Sequence, residues 1–197
     1  MRFLGFSCRI TDSHDEIRAA DRIIFPGVGA AGKSMADLVD LGLDTLIKER
    51  FSAGIPIMGI CVGLQVLFDY SEENDTKCLG ILPGRVRLFP RNMPSESGVP
   101  YKIPHMGWNT LEFRDRHPLL EKIEPKSYVY FVHSYHVSEC SPSQLVACTN
   151  YGVEFPAVVC FNNIVGVQFH PEKSSRIGLQ LLSNFRELVR NGSHSGN

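Results

Sequence analysis

The stretch Gly59-Ile60-Cys61-Val62-Gly63-Leu64-Gln65 decides how this chain folds. It predicts a strand over Ile57–Ile60 that turns sharply into a helix over Val62–Tyr70, because Gly-x-Cys-x-Gly is the thiol form of the nucleophile elbow. A side chain at such a turn projects from the sheet edge, and the glycines leave room for the neighbouring backbone. We therefore predict that Cys61 lies at a helix N-terminus, where the dipole favours a thiolate.

A second stretch, Gln168-Phe169-His170-Pro171-Glu172, follows an apolar run in the C-terminal part of the chain. Taken singly, Cys61 is most simply a buried structural residue, His170 a strand-end histidine and Glu172 a solvated helix-start carboxylate. Together they supply the thiol, imidazole and carboxylate of a nucleophilic triad. The combination predicts that Cys61, His170 and Glu172 are catalytic.

Bulk composition excludes several classes of protein. The chain has 197 residues, 43% of them hydrophobic and 21% charged, with a formal net charge of -1. This is a globular composition with no basic block, so we expect neither nucleic acid nor a membrane as partner. The six cysteines form no CxxC pair, and nothing at the N-terminus resembles a signal peptide. We predict a cytoplasmic protein without a metal or cofactor, in which Cys8, Cys148 and Cys160 are small buried apolar residues.

The first third of the chain alternates between strand and helix patterns. The residue patterns predict strands at Phe6–Ile10 and Arg22–Phe25, a capped helix over residues 13–20, and helix over residues 34–51 with an interruption near Gly42. Such alternation indicates an α/β fold with three layers, in which helices flank a twisted, mostly parallel sheet.

The rest of the chain is richer in strand patterns. Residues 71–127 carry many Pro, Gly, Ser and Asn residues, with short strand-like pieces such as Arg85–Phe89. The C-terminal half predicts additional strands at Tyr128–Val132, Leu145–Thr149, Ala157–Phe161 and Ile164–Phe169, with a hairpin turn at Asn162-Asn163. A closing helix carries Ile177, Leu181, Leu182, Phe185, Leu188 and Val189 on one face. We predict one domain over residues 1–190 and a disordered tail over residues 191–197.

At these residues the chain resembles the class I (triad) glutamine amidotransferases, and more narrowly the glutaminase subunits of imidazole glycerol phosphate synthases. The elbow and the His-Pro-Glu segment are typical of the whole class. The narrower resemblance comes from three further stretches: Pro26-Gly27-Val28-Gly29, Pro104-His105-Met106-Gly107-Trp108-Asn109 and Phe131-Val132-His133-Ser134-Tyr135. The match runs in order from near residue 1 to about residue 190.

The resemblance implies a flavodoxin-like fold and hydrolysis of glutamine to glutamate and ammonia, without a cofactor. It also implies a heterodimer with a (β/α)8-barrel synthase subunit, which uses the ammonia in histidine biosynthesis. The family normally opens with a strand, an Asp-Tyr-Gly-x-Gly-Asn loop and a helix, which this chain lacks. We therefore expect the chain to be truncated at its N-terminus relative to the family.

The resemblance also implies roles for individual residues. It places oxyanion donors at Val28, Gly29 and Val62. It places substrate-binding groups at Gln65 and at the backbone around Ser134, Tyr135 and His136. It places contacts with the synthase partner at Lys173, Trp108 and Tyr130, of which Lys173 matches a lysine that pairs with an acidic residue of the barrel.

Three alternatives stay open at this point. Residues Gly27–Ser34 satisfy the P-loop pattern G-x-x-x-x-G-K-[ST] between a predicted strand and a helix, which suggests nucleotide binding with Lys33 on the phosphates. The chain could instead serve another class I amidotransferase, of the anthranilate or pyridoxal phosphate synthase type. A third interpretation is a non-catalytic interaction subunit.

Overall fold

The computed structural model describes residues 1–95 and 98–188. Its α-helices are α1 (His14–Ala19), α2 (Ala31–Asp40), α3 (Leu43–Ser52), α4 (Val62–Gln65) and α5 (Ser175–Glu187). Its strands are β1 (Ile23–Gly27), β2 (Ile57–Cys61), β3 (Tyr70–Ser71), β4 (Thr76–Lys77), β5 (Gly84–Leu88), β6 (His105–Thr110), β7 (Glu112–Phe113), β8 (Tyr128–His133), β9 (Tyr135–Cys140), β10 (Leu145–Asn150), β11 (Glu154–Phe161) and β12 (Ile164–Val167).

The central sheet has the strand order β1-β2-β12-β11-β10-β7. Strands β1, β2 and β12 run parallel, and every residue of β2 and β12 is buried, as expected for strands covered on both faces. The predicted α/β class is therefore confirmed. The sheet is mixed rather than mostly parallel, because β12-β11, β11-β10 and β10-β7 are antiparallel pairs. Three of the four predicted C-terminal strands join it as β10, β11 and β12, whereas the strand predicted at Tyr128–Val132 pairs with β6 outside it.

Two smaller sheets complete the fold. Strands β4, β3, β5 and β9 form one, and β6 pairs with β8 in the other. One continuous hydrophobic core joins the sheets and helices, from Ala31 in α2 to Phe185 in α5. The prediction of one domain over residues 1–190 stays a prediction. The predicted tail at residues 191–197 and Val189 of the closing helix lie outside the described residues.

Several local predictions are confirmed. Strand β1 matches the predicted strand at Arg22–Phe25, and Gly42, in a left-handed conformation with φ 66°, separates α2 from α3. Asn162, also at positive φ, forms the turn between β11 and β12. Helix α1 begins at His14 as predicted, but the Ser13 side chain makes no capping hydrogen bond.

The helix predicted over Val62–Tyr70 ends after one turn, at Gln65. The carbonyl groups of Val66, Leu67 and Phe68 accept hydrogen bonds from the backbone of residues 79–82 instead of continuing the helix. This bond pattern turns the chain away so that Tyr70 can begin strand β3. Tertiary hydrogen bonds therefore override the local helical pattern here.

The strand predicted at Phe6–Ile10 is absent from the structure of residues 1–95, where these residues are irregular. Their β-favouring side chains find no sheet, and Ile10 is fully exposed. Cys8 is also exposed, so its predicted burial is wrong, whereas Cys148 is buried and Cys160 is partly buried.

Candidate active site

The elbow places Cys61 at the end of β2, directly before the first residue of α4. Its backbone has φ 54° and ψ -113°, a strained conformation for a non-glycine residue. A Cβ atom on Gly63 would lie 2.0 Å from the Phe25 carbonyl oxygen, and one on Gly27 would lie 2.3 Å from the Gly63 nitrogen. Both glycines are thus needed where β1 passes against the start of α4. The strand–turn–helix predicted at this motif is present.

The loop after β12 carries the imidazole. The His170 backbone N–H donates to the Tyr130 carbonyl at 2.9 Å, and its carbonyl accepts from the Ser174 hydroxyl at 2.7 Å. The side chain is nearly fully buried, and its Nδ1 lies 2.7 Å from Glu172 Oε1. The same ring is hydrogen-bonded to the Cys61 thiol. The structure therefore brings the three predicted catalytic side chains together in the order thiol, imidazole, carboxylate.

The electrostatics of this group favour charge separation. Hydrogen bonds with Cys61 first and Glu172 second raise the pKa of His170 to about 9, against the opposing effect of burial. The hydrogen bond with His170 lowers the pKa of the Glu172 carboxyl. A protonated imidazole held between a thiol and a carboxylate is the arrangement that supports a thiolate nucleophile.

A cleft of about 380 Å³ opens over this group. The predicted oxyanion residues Val28, Gly29 and Val62 line it, and Val28 is 80% exposed. Gly29 has φ 87°, a conformation that suits glycine. Because Val62 is the first residue of α4, its N–H has no acceptor within the helix.

The predicted substrate-binding residues divide into two groups. Gln65, Ser134 and Tyr135 line the cleft. His136 points into the core instead, where its ring stacks on Phe89 at 4.3 Å between centroids and burial lowers its pKa to about 4. Only the backbone at position 136 could therefore contribute to substrate binding.

Two residues of the site were assigned no role from the sequence. Gln168 is fully buried beside the nucleophile, with its Nε2 3.7 Å from Cys61 Sγ. Glu73 lines the cleft, and its Oε2 accepts a 2.6 Å hydrogen bond from the Ala31 N–H. Gln168 stands within the quoted Gln-Phe-His-Pro-Glu segment, which was a usable signal. Glu73 lies in a polar region that gives no such signal.

The predicted partner-contact residues lie beside the cleft, on the outer face of the β6–β8 pair. Trp108 is 51% exposed and packs edge-on against Tyr130, with ring centroids 5.9 Å apart. Lys173 lines the cleft, and its Nζ lies 5.8 Å from the centre of the Tyr130 ring. The three side chains thus form one continuous cluster.

The P-loop alternative loses support from the same region. The N-terminus of α2, where a phosphate would bind, already receives the Glu73 carboxylate on the Ala31 N–H. The ammonium group of Lys33 is paired with Asp37 one turn along the exposed side of α2. A bound phosphate would have to displace both carboxylates.

Other features of the described residues, 1–95 and 98–188, give no competing site. A larger depression of about 680 Å³ is lined by residues between Phe113 and Pro125, and it contains no thiol. No group of three His, Cys, Asp or Glu side chains in these ranges is arranged to hold a metal ion. None of their helices combines the length and apolar character that crossing a bilayer requires.

Comparison with known proteins agrees with this geometry. The family model Glutamine amidotransferase class-I matches residues 4–188. Proteins named imidazole glycerol phosphate synthase subunit HisH are similar in sequence to this chain over most of its length. The protein from Nitratidesulfovibrio vulgaris (strain DP4) is 50% identical over 92% of this chain and 85% of its own length. That from Dehalococcoides mccartyi is 48% identical over 94% and 87%, respectively.

Solved structures show the same fold at low sequence identity. A crystal structure of a glutamine amidotransferase superposes with a TM-score of 0.69 and 17% identity, covering 94% of this chain and 89% of that one. The glutaminase domain of Trypanosoma brucei CTPS with bound acivicin gives a TM-score of 0.57 and 16% identity, covering 90% and 76%. The structural likeness supports the fold, and the sequence match establishes the family: this chain belongs to the class-I glutamine amidotransferases.

Proposed function

We propose that this protein is the cytoplasmic glutaminase subunit of an imidazole glycerol phosphate synthase, and that it hydrolyses glutamine and delivers the ammonia to a (β/α)8-barrel synthase subunit in a heterodimer. The observation that carries the chemical part is the placement of His170 between the Cys61 thiol and the Glu172 carboxylate. The names of the relatives support the pathway.

The chemistry follows from the three side chains. The Cys61 thiolate attacks the side-chain carbonyl carbon of glutamine, and His170 donates a proton to the departing ammonia. The resulting glutamyl thioester is split by a water molecule that His170 deprotonates, and the sulfur leaves as glutamate forms. Glu172 holds Nδ1 of the imidazole and stabilises the imidazolium at each stage.

The tetrahedral intermediates carry an oxyanion that needs positioned donors. The Val62 N–H, directly after the nucleophile, supplies one, and the peptide groups of Val28 and Gly29 supply the other. Gly27 supports this assignment, because its contact with Gly63 brings that loop against the start of α4. Loss of one such donor would reduce kcat by about a hundredfold or more.

The amino-acid end of glutamine has matching groups in the cleft. Gln65 donates its Nε2 hydrogens to Tyr135 and Gln168, which leaves its carbonyl oxygen to accept from the substrate ammonium. The Glu73 carboxylate adds a negative charge in the same cleft. Ser134 and Tyr135 line the same cleft, and their backbone groups are further candidates to bind the substrate.

The outer face of the β6–β8 pair is the proposed surface for the synthase. Met106, Trp108 and Tyr128 are each more than half exposed on this face, an unusual cluster of large apolar groups for a free surface. Strand β8 also contributes Val132 and His133 to the catalytic cleft. A partner seated on this face would therefore lie next to the point where ammonia is released.

The proposal is tested by measuring glutamate release from glutamine with this protein alone and with a purified (β/α)8-barrel synthase plus its nucleotide ligand. A Cys61→Ala variant serves as the control. We expect activity that rises strongly with the liganded partner and disappears in the variant. Activity that is indifferent to this partner would favour another class I complex, and inactivity under every condition would favour a non-catalytic interaction subunit.

A further inference from the structure

Gln168 has a direct contact with the nucleophile that the triad does not explain. It follows β12 immediately, its side chain is fully buried, and its Nε2 lies 3.7 Å from Cys61 Sγ. A buried amide needs hydrogen-bond partners, because its polar atoms lose their water on burial. One of the partners of this amide is the reacting sulfur atom.

The surrounding hydrogen bonds fix which end of the amide faces the sulfur. A backbone carbonyl can only accept, so Gln65 must direct its NH2 group to the Tyr135 oxygen, 2.8 Å away. The same NH2 group lies 3.1 Å from Gln168, which must therefore present its Oε1 there. The NH2 group of Gln168 is left to face Cys61. The direction of this bond thus follows from an acceptor of known identity.

The contact changes character when the thiol ionises. The neutral Cys61 thiol can donate to the Val132 carbonyl, whose oxygen lies 3.9 Å from Sγ. A thiolate has no proton to donate and can only accept. The Gln168 N–H then becomes a favourable partner, and hydrogen bonding to the charged form of a group stabilises that form.

Gln168 differs from His170 in that its protons stay in place throughout the reaction. His170 gives its proton to ammonia and afterwards takes one from water. The amide N–H remains beside the sulfur in the free thiolate and again when the sulfur leaves the thioester. A second, permanent donor therefore complements the mobile proton of His170.

We propose that Gln168 is a further catalytic residue, which donates a hydrogen bond to the Cys61 thiolate and is held in that orientation by Gln65. This inference rests on the proposed function, since it takes Cys61 as the nucleophile. The charged and titratable groups lining the cleft around the sulfur are His170, His133, Tyr135, Glu73 and Lys173, with Glu172 hydrogen-bonded to His170, and all are unchanged in the variants below.

The test is the rate of Cys61 alkylation by iodoacetamide as a function of pH, without glutamine. Mass spectrometry of the Cys61 peptide separates this thiol from the exposed Cys8. In Gln168→Met, which keeps the volume but has no donor, the midpoint of the pH dependence should rise by about one unit, equivalent to about tenfold less thiolate at the same pH. Gln168→Glu should raise it further, because a carboxylate repels the thiolate.

Gln144→Met is the matched control, since Gln144 is buried to the same degree in the short 3-10 helix Pro142–Gln144, outside the cleft. It should leave the midpoint unchanged. An unchanged midpoint in folded Gln168→Met, with circular dichroism like that of the unsubstituted protein, would overturn the proposal and make Gln168 a packing residue.

If Gln168→Met does not fold, Gln65→Met provides the second test. It leaves Gln168 in place but frees the amide to turn, so the midpoint should shift in the same direction by a smaller amount, and no shift would overturn the proposal. Alkylation requires no turnover of glutamine. A shifted midpoint in a protein that never releases glutamate would therefore reject the proposed function while leaving this hydrogen bond intact.

Discussion

His170 and His133 both line the cleft and are almost equally buried, yet their pKa values move in opposite directions. Hydrogen bonds with Cys61 and Glu172 raise the pKa of His170 to about 9. Burial lowers the pKa of His133 to about 3, although its hydrogen bond to the Tyr135 carbonyl acts in the other direction. At neutral pH one of these histidines is therefore favoured in its protonated form and the other in its neutral form.

The difference has two causes: apolar surroundings disfavour a charge on His133, whereas hydrogen bonds with a thiol and a carboxylate favour a charge on His170. His133 is packed among aromatic rings, with Phe155 at 5.2 Å and Phe89 at 5.3 Å between centroids. Its Nε2 lies 3.2 Å from Nδ1 of His105, whose pKa burial also lowers, to about 4. This apolar region favours the neutral forms of His133 and His105, whereas the thiol and the carboxylate beside His170 favour its charged form. The function of a buried histidine is therefore indicated by what it contacts.

Of the substitutions proposed, removal of the Cys61 thiol should have the largest effect, both on glutamine hydrolysis and on the raised pKa of His170. Cys61→Ala should reduce kcat for glutamine hydrolysis by about 10⁴-fold or more, because members of a catalytic group act as a unit. It also removes the first cause of the raised His170 pKa, so this histidine should titrate at lower pH. The measurements are steady-state glutamate release and an NMR titration of the variant. Retention of more than a few per cent of the activity would exclude Cys61 as the nucleophile.

Neutralising the carboxylate should have the next largest effect. Glu172→Gln keeps the size of the side chain and removes its charge, so it should reduce kcat by about 10²-fold with little change in KM. The effect is smaller than for Cys61 because the Glu172 side chain is about half exposed, and solvent weakens its interaction with His170. The kinetic constants measured with glutamine check this. A variant with full kcat would show that His170 does not need this partner.

The outer face of the β6–β8 pair, proposed to bind the synthase, provides a test that does not involve the two histidines. Trp108→Ala should weaken binding of the synthase subunit by about tenfold, because exposed tryptophans at interfaces are frequent energetic hot spots. Titration calorimetry with the purified barrel subunit measures this effect. Val39→Ala is a suitable control, since Val39 is similarly exposed on α2, away from β6 and β8. Equal affinities of the two variants would argue against the proposed surface.

The neutral state of His136 should affect how the free energy of unfolding depends on pH. Burial lowers the pKa of His136 to about 4, so the unfolded chain binds the additional proton between about pH 6.5 and pH 4. The stabilisation from the neutral form is complete above pH 6.5 and is lost as the pH falls through this window. His136→Phe cannot take up that proton, so its free energy of unfolding should fall less steeply, by about 2 to 3 kcal/mol across the window.

Urea unfolding at several pH values measures this slope, and parallel curves for the variant and the unsubstituted protein would contradict the prediction.

His170 should affect the pH dependence of stability in the opposite sense. Because its folded pKa is raised to about 9, its stabilisation is complete below about pH 6.5 and is lost as the pH rises through 9. Glu172→Gln should therefore lose less stability on the alkaline side.

The sequence predicts the local geometry of the site well where glycines restrict the backbone. Gly-x-Cys-x-Gly predicts a strand, a turn and a helix start, because few other arrangements let β1 approach Gly63 so closely. The combination of Cys61, His170 and Glu172 likewise predicts a triad, in which the imidazole is hydrogen-bonded to the carboxylate. These features depend on neighbours in sequence and on one close contact.

Features that depend on distant parts of the chain could not be predicted in this way. The short extent of α4 is set by hydrogen bonds from residues 79–82, and the irregular course of Phe6–Ile10 by the lack of a sheet partner. The contact of the buried Gln168 with Cys61 and the position of Glu73 in the cleft also arise from long-range packing. Similarly, nothing in the sequence indicates that the His136 ring stacks on Phe89.

An NMR titration of the histidine side chains in the unsubstituted protein tests most directly whether Cys61, His170 and Glu172 form one charged unit. We predict that His170 titrates with a midpoint near pH 9 and that His133 and His105 stay neutral down to about pH 4. Assignments would come from His170→Gln and His133→Gln variants. A His170 midpoint near the ordinary value of about 6.5 would show that the thiol, imidazole and carboxylate do not act as one charged unit.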